Sequence, residues 1–435
     1  MMGGIVAIVG RPNVGKSTFF NRMVQKRDAI VDSQSGVTRD RHYGKSDWNG
    51  RGFTLIDTGG YLENSEDVFQ KEIDKQVSLA VEEADAIIFI VDVIDGVTGM
   101  DQNIAKLLRR SSKPIYLAIN KVDNTSRTQM TSEFYSLGYK NFYCISSVSG
   151  SGTGELLDDL ISQMPDEEKK IGDELPNFAV VGRPNAGKSS FINAIIGKER
   201  NIVTKIAGTT RDSINSRYKR FGFDFNLIDT AGIRKKTKIK ENIEFYSIMR
   251  SVRSIEYADV CILIVDATRG FDGQVQNIFW LAHRNNKGIV ILINKWDLIE
   301  KSTETSKVFQ DQIREKFKAL DHYPIIFISA LTKQRIHRVI QTALQVHERS
   351  QSFIPTKNLN NILSKIISKK PPQSVEGKQL KIKYCTQVSV EPSVIALYVN
   401  YPDKVPVNYK RFLENQIRTK FDLEGVPIIL SFRNK

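Results

Sequence analysis

Apolar residues in this chain come in short blocks of strand length. Each block ends on Gly, Asp, Asn or Ser, and most are followed by helical spacing. Ile5 to Val9, Phe53 to Ile56, Ala86 to Val91 and Pro114 to Ile119 are the first four, and a shorter one ends at Tyr143-Cys144-Ile145. Each reads as a buried strand. After the first, Phe19, Phe20 and Met23 mark a helix. Strands alternating with helices predict an α/β fold with a doubly wound, mostly parallel sheet, whose ligands bind at the carboxyl ends of the strands. At Phe178 to Val181 the same order begins again.

Past residue 350 the pattern changes. Leu359 to Ile367 has helical periodicity, and Leu380 to Val390 and Val394 to Asn400 read as strands. Tyr409, Phe412, Leu413, Ile417 and Phe421 share one helix face, and Pro427 to Phe432 is a last strand. The order α-β-β-α-β predicts a small α+β domain. Asp166 to Glu174 is charged and almost without apolar residues, as an exposed linker would be. The expected organisation is therefore residues 1–165, a linker at 166–176, then 177–350 and 351–435.

The strand ends carry the candidate chemistry. Gly10-Arg11-Pro12-Asn13-Val14-Gly15-Lys16-Ser17 reads G-x-x-x-x-G-K-S. In such a loop the backbone N–H groups cradle phosphates, the Lys reaches the outer ones and the Ser hydroxyl takes Mg²⁺. Asp57-Thr58-Gly59-Gly60 is D-x-x-G, where the Asp supports the metal and the Gly lets a backbone N–H approach the terminal phosphate. Thr38, in a polar loop, is a second candidate hydroxyl for Mg²⁺. Asn120-Lys121-Val122-Asp123 is N-K-x-D. Its Asp accepts from guanine N1–H and the exocyclic amine, a donor pair that adenine lacks, so adenine leaves a buried carboxylate unpaired. Ser146 and Ser147 are placed to lend backbone groups to the base.

The whole set recurs. Gly182-Arg183-Pro184-Asn185-Ala186-Gly187-Lys188-Ser189 lies 172 residues after the first loop, as Thr210 does after Thr38 and Asp229 after Asp57. The second D-x-x-G is Asp229-Thr230-Ala231-Gly232. Asn294-Lys295-Trp296-Asp297 follows its counterpart by 174, and Ser329-Ala330 closes the second set. Near-constant spacing across four motifs means a duplicated domain.

Where a Ras-type site has a water-orienting Gln after D-x-x-G, this chain has Tyr61 and Ile233. Unless the Tyr61 hydroxyl orients the water, catalysis then falls to electrostatics: loop N–H groups, Lys16, Lys188, the metal, and the γ-phosphate contacts at Gly60 and Gly232. Asn13 and Asn185 offer side-chain carbonyls that would place K⁺ beside the phosphates; the other reading is that they support the turn. Only the second copy follows D-x-x-G with Arg234, Lys235, Lys236, Lys238 and Lys240. That run is either a solvated loop or a polyanion contact set by nucleotide state.

At 435 residues the chain exceeds one ordinary core. Its net charge is +14, and residues 351–435 hold 14 Lys and Arg against 6 Asp and Glu. The excess is local, as on a surface that contacts a phosphate backbone. Cys144, Cys261 and Cys385 are scattered, which fits packing roles in a reducing compartment and no zinc or disulfide framework. No apolar run approaches the roughly 18–20 residues of a membrane span, and the start lacks a basic leader, so a cytoplasmic location is expected.

Two G-R-P-N-[VA]-G-K-S loops in tandem, D-T-[GA]-G, N-K-[VW]-D, the segment Tyr409 to Arg418, and Gly425-Val426-Pro427-Ile428 together resemble the Der (EngA) family of double-domain GTPases. The likeness spans essentially the whole chain. It implies GTP and GDP as ligands, a KH-like C-terminal domain, a role in late assembly of the large ribosomal subunit, and ribosomal RNA as partner. No G-x-x-G clamp occurs in residues 351–435, so contact through basic side chains is expected there instead. A monomer, without DNA partner or membrane span, completes the expectation. The rival readings are a nucleotide-gated binding module with one weakly hydrolysing half, and a tRNA-modification-type GTPase.

Overall fold

The computed structural model describes residues 4–31, 43–58, 77–78, 81, 84–139, 141–164, 175–196, 216–228, 251–300, 304–374, 377 and 379–434. The chain forms two compact units, Met1–Gly172 and Asp173–Lys435.

The first unit holds strands β1 (Ile5–Val9), β2 (Tyr43–Trp48), β3 (Arg51–Asp57), β4 (Ala86–Asp92), β5 (Ile115–Asn120) and β6 (Phe142–Cys144) in one six-stranded sheet, ordered β2-β3-β1-β4-β5-β6. All neighbours run parallel except β2 with β3. Helices α1 (Lys16–Val31), α2 (Gly99–Leu108), α3 (Thr125–Gln129) and α4 (Thr153–Gln163) complete the alternation. Val6, Ile8, Ile88 and Ile90 pack with Phe19, Phe20, Leu156 and Leu160 in one core. The chain leaves β1 toward β3 and returns to its other side as β4. The crevice of such a sheet opens at this switch point, and the phosphate loop sits there.

In the second unit β7 (Asn177–Gly182), β8 (Ser216–Arg220), β9 (Phe223–Ile228), β10 (Val260–Asp266), β11 (Gly288–Asn294) and β12 (Ile325–Phe327) repeat the arrangement, ordered β8-β9-β7-β10-β11-β12. Helices α5 (Lys188–Ile196), α6 (Gly273–Arg284), α7 (Thr305–Lys316) and α8 (Ile336–Gln351) accompany it. The duplication read from motif spacing is thus a duplication of topology. The C-terminal stretch then folds as α9 (Thr356–Lys369), β13 (Ile382–Ser389), β14 (Ser393–Val399), α10 (Val407–Phe421) and β15 (Ile428–Arg433), the expected α-β-β-α-β order. Its sheet pairs β13 with β14 antiparallel and β14 with β15 parallel. Val426 of this stretch packs into the second α/β core, and the Gly425 carbonyl accepts from Ile289 N at 2.8 Å.

Two differences from the sequence reading have clear causes. Strands β2 and β8 were not expected. Their sequences, YGKSDW and SRYKR, are polar because each lies at a sheet edge, where charge blocks further strand addition. Several parallel strands also run one residue past their apolar blocks. Asp92 pairs with Asn120, and Asp266 with Asn294, as the last rungs of their ladders, and these polar residues are buried.

Candidate functional site

Each phosphate loop joins the end of a central strand to the first turn of a helix. Asn13 (φ 65°) and Gly15 (φ 95°) turn the first loop, and Asn185 (φ 62°) and Gly187 (φ 100°) turn the second with the same handedness. Asn13 and Asn185 are both exposed. Lys16 Nζ donates to the Arg11 carbonyl at 2.7 Å. Lys188 Nζ donates to Gly182 O at 2.7 Å and Arg183 O at 2.6 Å. Burial pushes both ammonium groups down to about 8, with Asp57 opposing the shift at Lys16. Each lysine is thus curled onto its own loop's carbonyls.

Ser17 Oγ donates to Asp57 Oδ2 at 2.6 Å, and Asp57, at the end of β3, is fully buried. Thr58 Oγ1 donates to Ile8 O at 2.9 Å, pinning the end of β3 beside β1. A hydroxyl and a carboxylate next to a phosphate cradle are a hard-oxygen donor set of the kind Mg²⁺ takes with phosphate and water. Among the described residues no group of three His, Cys, Asp or Glu side chains converges as a protein-only metal site. In the second copy Ser189 is exposed on α5. Thr38, Gly59, Gly60, Tyr61, Thr210, Asp229, Thr230, Ala231, Gly232, Ile233 and the basic run from Arg234 to Lys240 lie outside the described residues.

The two Asn residues of N-K-x-D are the joints of the site. Buried Asn120 donates from Nδ2 to Val14 O at 2.7 Å and accepts from Ser147 N at 2.9 Å. Asn294 donates to Ala186 O at 2.9 Å and accepts from Ala330 N at 3.0 Å. The amides of Ser147 and Ala330 are therefore engaged by Asn, and Ser146 N by Ser151 O at 3.0 Å. Ser146, Ser147, Ser329 and Ala330 are all buried. Lys121 and Lys295 adopt positive φ and reach back to Asp92 and Asp266. Burial pushes the Asp266 carboxyl up, but hydrogen bonds from Lys295 and Thr268 outweigh it and hold the group below the usual carboxylate range. Asp123 stays half exposed and accepts from Arg127 Nη1 at 2.7 Å. Val122 is partly buried. Trp296 is buried against Phe327 at 4.4 Å between ring centroids, and Asp297 follows it in a short 3-10 turn.

Arg11 and Arg183 make ties that the motif spacing does not foretell. In the fold Arg11 pairs with Asp95 at 2.7 Å and Asp101 at 3.4 Å, and Arg183 pairs with Asp272. Asp101 belongs to the Thr98–Asp101 capping box of α2, and Asp272 caps α6. Each loop is thereby tied to the helix that follows the neighbouring strand in the sheet, β4 or β10. The T-x-x-D spacing of the first cap was the available signal. Beside Pro184 in the second loop, a cavity of about 170 Å³ is lined by Arg183, Asn185, Asp266, Arg269 and Lys295.

Two α/β units of identical topology, each with a phosphate loop and an N-K-x-D corner at the same crevice, define a tandem guanine-nucleotide-binding protein of the P-loop class. A profile described as "50S ribosome-binding GTPase" matches residues 5–121 and 177–295, and one described as the C-terminal "KH-domain-like of EngA bacterial GTPase enzymes" matches 354–433. The chain is 62% identical over 434 residues to GTPase Der of Christiangramia forsetii, and 58% identical over 436 residues to GTPase Der of Flavobacterium psychrophilum, with full coverage of both chains in each case. Among solved structures it is similar to Era from Aquifex aeolicus, 21% identical, with TM-score 0.31, covering 60% of this chain and 93% of that one. The chain belongs to the Der (EngA) family of ribosome-associated GTPases and hydrolyses GTP to GDP and phosphate. Among the described residues no helix is long and apolar enough to cross a membrane.

Proposed function

We propose that this GTPase acts as a monomer in the cytoplasm in late assembly of the large ribosomal subunit, and that nucleotide state gates its binding to ribosomal RNA and particles. The observation that carries this reading is the pairing of two complete GTPase units with a compact C-terminal fold holding +8 of the chain's +14 charge. The working domains are residues 1–165, 177–350 and 351–435, with 166–176 as linker.

In each site the loop cradles the phosphates, and Lys16 or Lys188 exchanges its carbonyl partners for phosphate oxygens. Ser17, Thr38 and Asp57, and likewise Ser189, Thr210 and Asp229, hold Mg²⁺, which when bound neutralises developing charge on the phosphates. Asp123 and Asp297 select guanine, while Gly60 and Gly232 report the γ-phosphate. Asn13 and Asn185 ligate K⁺. Their exposure at the loop tip leaves the side-chain carbonyls able to face a bound nucleotide.

Co-sedimentation of the full chain and of residues 1–350 with ribosomal particles, in GTP analogue and in GDP, tests the reading. Binding by the full chain that depends on nucleotide and falls steeply with salt is expected. No particle binding in any nucleotide state overturns it.

A further inference from the structure

Because the fold is duplicated, each position in one unit has an internal reference in the other. The β2–β3 hairpin turns through Asn49 (φ 48°) and Gly50 (φ 80°). The β8–β9 hairpin turns through Phe221 (φ 51°) and Gly222 (φ 79°), the same two-residue turn. Such a turn wants Asn, Asp or Gly at its first position, because larger side chains are disfavoured at positive φ. The first unit obeys, and its tip is tied down, with Trp48 Nε1 and Asn49 Nδ2 donating to Asp158 at 2.6 and 2.9 Å. The second unit holds a phenylalanine there, and leaves it 68% exposed. Neither local preference nor burial explains Phe221. Strain kept at an exposed site points to a function.

Its surroundings name the partner. The Arg220 guanidinium lies 5.5 Å from the Phe221 ring centroid, and the His337 ring meets it edge-on at 5.0 Å. His337 sits in the first turn of α8, within an exposed stretch that carries Lys333, Arg335 and Arg338 and no acidic residue between 331 and 338. Arg338 also lines a cleft of about 510 Å³ with Arg314 and Gln341. One exposed flat ring, flanked by guanidinium and imidazole and followed by basic side chains, matches an unpaired base with its phosphates. A lipid surface would favour several neighbouring apolar side chains, whereas the residues flanking Phe221 are Arg220 and Gly222.

We propose that the β8–β9 hairpin tip of the second GTPase unit, with the start of α8, is a stacking platform for an unpaired base of single-stranded RNA. Phe221 stacks on the base, and Arg220, His337 and Arg338 contact its flanking phosphates. The inference rests on the reading of RNA as partner. It places one contact on the GTPase unit itself, apart from the basic C-terminal domain.

The test uses the full chain and a short fluorescein-labelled oligoadenylate, followed by anisotropy, with a duplex of equal length and phosphatidylserine vesicles as comparisons. Phe221→Asn copies the first unit's turn, so urea denaturation is expected to show stability unchanged or raised. Its affinity for the single strand is expected to fall about five-fold or more, and Phe221→Trp is expected to retain affinity. An unchanged affinity in Phe221→Asn, a loss that follows a loss of stability, or a Phe221-dependent preference for duplex or vesicles overturns the proposal. Particle co-sedimentation on the same proteins separates the two ideas. Wild type failing to bind particles removes the assembly role and leaves the oligonucleotide result standing.

Discussion

Asn120 and Gly15 meet so closely that a Cβ on Gly15 would lie 2.3 Å from the Asn120 amide nitrogen. That same nitrogen donates to Val14 O at 2.7 Å. In the second unit the corresponding approach of Gly187 to Asn294 is 2.1 Å. The N-K-x-D corner and the phosphate loop are therefore one rigid joint, and the loop glycine is required by contact as well as by its positive φ. Gly15→Ala is expected to destabilise the first unit by about 1–3 kcal/mol and to abolish its nucleotide binding. Titration with a fluorescent GDP analogue should then find a single site per chain. Retention of both sites would show that the joint can yield.

Lys16 and Lys188 link nucleotide affinity to pH. Burial lowers both ammonium groups to about 8. Phosphate favours the charged form, so the complex has the higher pKa. Affinity is then flat below pH 8 and falls above it, approaching ten-fold per pH unit. Measured in a Lys188→Ala background between pH 7 and 9, the first site should show this slope. Lys16→Arg should flatten it, because Arg does not deprotonate in that range. GTP turnover of Lys16→Ala and Lys188→Ala, measured separately, assigns hydrolysis to each half.

With Tyr61 and Ile233 following D-x-x-G, turnover is expected to depend on K⁺ through Asn13 and Asn185. Turnover in K⁺ should exceed turnover in equimolar Na⁺. Asn13→Ala and Asn185→Ala together should remove the difference while GDP binding persists. Equal rates in the two salts in wild type would sink the assignment.

His283 makes the second unit acid-sensitive. Its Nδ1 is 2.7 Å from Tyr323 Oη, and its ring contacts Phe279 and Trp280. Burial, with the charges of Arg418 and Arg284, lowers it from 6.5 to about 3. Between those values the unfolded chain binds a proton that the folded chain refuses, so stability falls as pH falls below 6.5. From pH 7 to pH 5 the loss is about 2 kcal/mol. Chemical denaturation at the two pH values checks this, and His283→Gln should flatten the dependence.

The motifs were legible because nucleotide chemistry demands fixed residue types at strand ends, and strands buried on both faces are continuous apolar runs. Their duplication showed in the spacing alone. The edge strands β2 and β8 were not legible by periodicity, since a strand with one solvated face carries polar residues that look like loop. The Asn49-Gly50 pair was the local hairpin signal available for the first of them.

What the sequence determined by itself was the fold class, the order of the motifs and the choice of guanine, because each depends on short stretches of chain. The tertiary structure decided which groups share a joint. Asn120 with Val14 and Ser147, Ser17 with Asp57, Arg11 with Asp101, and Val426 inside the second GTPase core are pairings across 27 to more than 100 residues of chain. The β1-β4-β5-β6 order, which sets the ends of β5 and β6 on the same side as the phosphate loop, brings the first of these together. Phe221 shows the same division. Its identity and its neighbour Arg220 are in the sequence, but its positive φ, its exposure and the approach of His337 exist only in the folded chain.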